Sequence, residues 1–166
     1  LDEIEGLIPE HINIQAELNE WEQSNILEAE KWLSRLFSKS LPAMGYGVGS
    51  WDYNTGGSYV SSDVLDMNMF LTTDFFKKVH QKMFNNTWRW AGKFRKSDKN
   101  IGVHWIDIPT RLHELLKDID YQIENNSYEI DEIAVKLHHR LVAIHLFPNG
   151  NGRHARLITD VFLKMC

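Results

Sequence analysis

Apolar residues recur at helical spacing along most of this 166-residue chain. Between Ile12 and Phe37, Ile14, Leu18, Trp21, Ile26, Trp32, Leu33 and Leu36 fall at three- and four-residue steps among Gln, Asn and Glu, which predicts one or two amphipathic helices. The opening LDEIEGLIPEHI holds Gly6 and Pro9 and predicts no helix. Residues 38–62 are rich in glycine and serine and have no helical period, so they read as a long loop or insertion. Helical pattern returns in LTTDFFKKVHQKMF, where Thr72 or Thr73 can cap and Phe76, Val79, His80, Met83 and Phe84 share a face. Pro109 opens a further helix to about Ile123. From Ile130 the positions Ile133, Ala134, Leu137, Leu141 and Ile144 form an apolar stripe that must end before Pro148. RHARLITDVFLKMC restarts a helix.

Between these helices, TWRWAGKFRKSDKNIGVHWIDIP breaks the pattern. Its glycines, its SDKN turn and its β-favouring IGVHWI predict a short hairpin or extended flap. The fold class expected is therefore mainly α, a helical bundle with one β-hairpin excursion. The expected organisation is an N-terminal helical segment over 1–37, a loop or insertion over 38–70, and a core over 71–166.

Composition narrows the function classes. A net charge of −5 and a pI near 5.9 argue against a surface built to neutralise nucleic-acid phosphates, while leaving room for a local basic site. The lone cysteine, Cys166, cannot form an internal disulfide, which suits a reducing cytoplasm. No apolar run reaches 18 residues, so no membrane partner is expected. The chain opens on Leu1 and closes at Cys166 soon after its most informative loop, so truncation is an expectation to carry forward.

That loop is HLFPNGNGRHAR, residues 145–156. It joins the end of one buried helix to the start of the next, whose first-turn N–H groups lack intrahelical acceptors and sit at the positive end of the helix dipole. Glycines there let a backbone approach a ligand closely. Arg153 and Arg156, three residues apart, can reach one anion. His145 precedes the loop, where a neutral imidazole suits proton removal from a hydroxyl. A phosphate cradle and an ordinary polar link, with arginine stems covering apolar surface, both fit these residues. The P-loop spacing is absent. Histidines 80, 113, 138 and 139 read as packing or surface groups, since adjacent helical histidines point about 100° apart.

The loop resembles the signature of the Fic domain family, H-x-F-x-[D/E]-G-N-G-R-x-x-R. It agrees at His145, Phe147, Gly150, Asn151, Gly152, Arg153 and Arg156, and departs at Asn149. The preceding LTTDFFKKVHQKMFNNTWRWAGKFR is similar to the family's helix leading into a Trp-Ala-Gly segment, so the resemblance spans roughly 71–166. It implies an enzyme that moves AMP from ATP to a Ser, Thr or Tyr hydroxyl of a target protein, or of itself. His145 would be the base and Phe147 a core anchor. Gly150, Asn151 and Gly152 would form the anion hole, and Arg153 and Arg156 would neutralise the polyphosphate. The family's acidic residue at position 149 holds Mg²⁺, and an asparagine there is a weaker metal ligand.

The resemblance also assigns Ile101, Gly102, Val103 and His104 to a flap that docks the target by strand pairing. It further implies an inhibitory helix of pattern [S/T]-x-x-x-E-[G/N]. Ser24 with Glu28 fits best, Glu28 pairing with Arg156, while Glu5-Gly6 is the alternative. A phosphotransferase or other phosphodiester-cleaving variant on this fold, and a non-catalytic regulatory or toxin–antitoxin module, remain as competing classes because of Asn149.

Overall fold

A computed structural model describes residues 5–40 and 65–166, the side chains of 38–40 excepted. Among them are six α-helices: α1 (Gln15–Ser40), α2 (Met67–Phe70), α3 (Thr73–Phe84), α4 (Ile108–Glu124), α5 (Ile130–Ile144) and α6 (Asn151–Met165). A 3-10 turn, Trp105–Asp107, leads into α4. The expected loop over 38–62 lies largely outside the described residues.

Local chemistry sets the helix limits. Thr72 accepts the Phe75 N–H at 3.2 Å and starts α3. Pro109 sits in the first turn of α4. His145 ends α5 in the left-handed region, with φ 58°, and Pro148 prevents continuation. α1 runs unbroken because no glycine or proline interrupts residues 15–40.

One apolar core joins all of these helices, with Phe70, Phe76, Phe147 and Phe162 fully buried. α5 packs against both α4 and α6, while α3 lies between α1 and α6. The α1 stripe Leu18, Ile26, Ala29, Leu33 and Leu36 belongs to that same core. Gly6, Leu7 and Ile8 run antiparallel to 87–89, with the Arg89 N–H on the Gly6 carbonyl at 2.9 Å and the Ile8 N–H on the Thr87 carbonyl at 2.8 Å. No described helix is long and apolar enough to cross a membrane.

The expected β-hairpin is not formed among the described residues. Residues 101–103 bend, and Trp105–Asp107 turns as 3-10. The backbone groups that a second strand would have paired are taken elsewhere. Asp98 accepts the Trp105 N–H at 2.9 Å, His104 Nδ1 accepts that of Ile106 at 3.3 Å, and the Ile144 carbonyl accepts that of Val103 at 3.3 Å. The β-favouring residues of IGVHWI are outweighed by these local acceptors.

Candidate active site

The 145–156 loop is built from the inside outwards. Asn151 Oδ1 accepts the Phe147 N–H and its Nδ2 donates to the Phe147 carbonyl, both at 2.8 Å. This two-point clip closes the loop and leaves the Asn151 side chain buried. Gly150 has φ 77°, and a Cβ there would meet Phe84 Cζ at 2.6 Å, so only glycine fits. A Cβ on Gly152, by contrast, would meet nothing within 4 Å. That open, exposed space faces the first turn of α6, where the N–H groups of residues 151–153 precede the first intrahelical bond, His154 to Gly150. The arrangement can hold an anion.

Beneath the loop, His80 receives the Gly92 N–H on Nδ1 at 3.0 Å. Nε2 therefore carries the proton and donates to the Asn149 carbonyl at 3.1 Å. The ring stacks on Phe147 with centroids 3.7 Å apart. Burial holds its pKa well below the usual histidine value. His154 donates to the Phe76 carbonyl at 2.9 Å, and burial pulls its pKa down to about 4. Neutral imidazoles thus support the loop from the core.

His145 stands at the α5 terminus, half-buried, with a buried Nδ1 that has no hydrogen-bond partner. Desolvation, then Arg95, then Lys99, lower its pKa, which favours the neutral, proton-accepting form. A Cβ on Gly102 would approach His145 Cβ to 2.7 Å, so the backbone at Gly102 lies directly against this histidine. Arg95 fixes that contact. Its buried guanidinium donates to the carbonyls of His145 (2.7 Å), Ser97 (2.8 Å), Val103 and Ile144 (3.4 Å).

The two motif arginines differ. Arg153 Nη1 meets Glu22 Oε2 at 2.6 Å, and Glu22 Oε1 accepts the Trp88 indole N–H at 2.7 Å. The Glu22 side chain is 5% exposed and that of Arg153 38%. Arg156 is exposed, and its side chain has no hydrogen bond or ion pair among the described residues. The expected Glu28–Arg156 pair is not formed. Glu28 is 61% exposed and pairs with Lys31 at 2.6 Å, the hydrogen bond from Lys31 lowering its pKa. Six residues of helix rotate Glu28 about 120° away from Glu22. Ser24 is exposed with it, and Glu5 meets this region through its carbonyl, which accepts the Trp90 indole N–H at 3.3 Å.

Glu22 and Arg95 escaped the motif reading. Glu22 had a visible signal, since it falls four residues after Leu18 and seven before Ala29, on the buried stripe of α1. A carboxylate on an apolar stripe asks for a partner. Nothing in KFRKSDK distinguishes Arg95 from its neighbouring cations.

Beside the loop opens a cavity of about 660 Å³, lined by Pro148 and Asn149 together with Arg89, Lys93 and Lys96. The residues do not fit the divalent cation that the resemblance implies at position 149. Asn149 offers one neutral oxygen, already accepting the Gly150 N–H at 2.6 Å. Hard cations of this kind are held through carboxylates together with substrate phosphates.

The model of the Fic/DOC family matches residues 70–163. A helical domain whose motif loop lies over a core of neutral histidines is thus placed by both sequence and site: this chain belongs to the Fic/DOC family. It is 28% identical over 109 residues to the "Protein adenylyltransferase Fic" of Nematostella vectensis, a match covering 63% of this chain and 26% of that protein. It is 31% identical over 97 residues to the "Protein adenylyltransferase fic-1" of Caenorhabditis elegans, covering 56% and 19%. The match spans about a quarter or less of these relatives' length. The crystal structure of the N-terminal FIC domain of the Bep8 protein from Bartonella sp. 1-1C superposes with a TM-score of 0.58 at 17% identity, covering 93% of this chain and 68% of that one. It shares the fold.

Proposed function

We propose that this chain is a protein adenylyltransferase that moves AMP from ATP to a hydroxyl of a target protein. The observation that carries the reading is the unpartnered, half-buried His145 held beside an anion-ready α6 terminus. The adenylyltransferase names of its relatives support it. His145 accepts the hydroxyl proton as that oxygen attacks the α-phosphorus, the bond to the β-phosphate oxygen breaks, and pyrophosphate leaves. The first-turn N–H groups of α6, with Arg153 and Arg156, bind the phosphates through geometry fixed before the reaction. Residues Ile101 to His104 are the surface on which the target docks, because Gly102 within them lies against His145.

Auto-inhibition fits the same site, with Glu22 in place of Glu28. Glu22 occupies the Arg153 guanidinium and puts a negative charge where phosphate must come. Glu22→Gln keeps an acceptor for Trp88 and removes that charge. A charged hydrogen bond is worth about 1.5–3 kcal/mol. The lower end applies to a pair that is partly open to solvent, so modification rises about tenfold. The reading is tested by the intact mass of Glu22→Gln after incubation with ATP. A gain of one adenylyl group supports it, while a gain of one phosphoryl group moves the chemistry to phosphotransfer.

A further inference from the structure

We propose that the nucleotide phosphates at this site are charge-balanced by the cationic wall of the adjoining cavity, Arg89, Lys93 and Lys96, with no divalent cation held through Asn149. This rests on the adenylyl-transfer reading and specifies how that site takes its nucleotide.

Several observations converge. The cavity reaches the loop at Pro148 and Asn149, where bound phosphates would extend from the α6 terminus. Arg89, Lys93 and Lys96 are exposed, and their side chains make no hydrogen bond or ion pair among the described residues. Three uncompensated cations on one concavity are unusual for a chain of net charge −5, and they focus a positive field into it. Glu5 is the single carboxylate on the described walls. Asn149 supplies no charge, and its amide oxygen is held by the Gly150 N–H. Among the described residues no three His, Cys, Asp or Glu side chains converge as ligands.

Electrostatics then decides between two forms of the ligand. Free ATP carries more negative charge than its magnesium complex, so a wall of cations favours the free anion. Bringing a divalent cation into the same space sets like charges against each other. A carboxylate at position 149 would reverse that balance, and an amide does not.

Calorimetric titration of ATP into the chain at one fixed ionic strength tests this, once with excess EDTA and once with excess MgCl₂. The expected result is binding in EDTA at least as tight as in Mg²⁺. Lys93→Gln combined with Lys96→Gln should weaken the EDTA affinity at least about tenfold, the worth of one charged hydrogen bond. Both lysines are exposed, and circular dichroism checks that the variant folds. Binding tightened tenfold or more by Mg²⁺ overturns the proposal and leaves adenylyl transfer standing. An EDTA affinity unchanged in the lysine variant also overturns it. Failure of both the native chain and Glu22→Gln, which frees Arg153, to bind in either buffer removes the nucleotide reading itself, and this proposal with it.

Discussion

Arg95→Met keeps the apolar stem of a buried side chain and deletes every donor at its end. In the native protein those donors meet the carbonyls of His145 at 2.7 Å and Ser97 at 2.8 Å, along with those of Val103 and Ile144. The nearest carboxylate, Asp98, is 3.7 Å away and half-exposed, so the charge is held mainly by backbone dipoles. Two well-formed charged hydrogen bonds are worth roughly 3–6 kcal/mol together. Removing a buried charge returns part of its desolvation cost, which leaves a net loss of about 2–4 kcal/mol. At about 2–4 °C per kcal/mol for a domain of this size, Tm falls by about 4–16 °C. Urea denaturation gives the loss, and amide exchange at Val103, whose N–H bonds the Ile144 carbonyl, shows whether this segment detaches from the end of α5. A loss below about 1 kcal/mol, a single neutral hydrogen bond's worth, with Val103 exchange unchanged, would refute the reasoning.

Acid should destabilise the fold through its buried histidines. His154 has a folded pKa of about 4, below the unfolded value of about 6.5, so between these pH values the unfolded chain binds more protons. Its contribution is complete above about pH 6.5 and is lost as pH falls towards 4, on the order of 3 kcal/mol in all. His80 acts in the same direction. Stability against pH, compared with His154→Gln, checks this, and the variant's profile should be flatter. Gly150→Ala should cost about 2–5 kcal/mol, from its positive φ and the Phe84 ring at 2.6 Å, read by thermal unfolding. Gly152→Ala should instead stabilise by up to about 1 kcal/mol, while weakening ATP binding by filling the space before the α6 N–H groups. The acid limb of the transfer rate should lie below pH 6.5, because His145 is held neutral there.

Much of this architecture was legible beforehand because periodicity and breakers fix helices locally. Thr72, Pro109 and Pro148 mark their boundaries for reasons that do not depend on the rest of the fold. The candidate groups of the loop are legible because its glycines, arginines and histidine are contiguous. Three features depended on tertiary context. Propensity predicts strand for IGVHWI, but Arg95, Asp98 and the end of α5 take its hydrogen bonds. The motif points to Asn151 as part of the anion hole, but only the folded loop shows that its side chain clips the backbone at Phe147, leaving its N–H as the group available to an anion. Local pattern points to Glu28, whereas the glutamate that reaches Arg153 is set by which face of α1 packs on α3. Glu22 lies on that face.

The most direct test of adenylyl transfer is the intact mass of Glu22→Gln incubated with ATP, beside the same variant carrying His145→Ala. The account predicts a gain of one adenylyl group in the first protein and no gain in the second. An equal gain in both would contradict His145 as the base, and a phosphoryl gain would contradict AMP transfer itself.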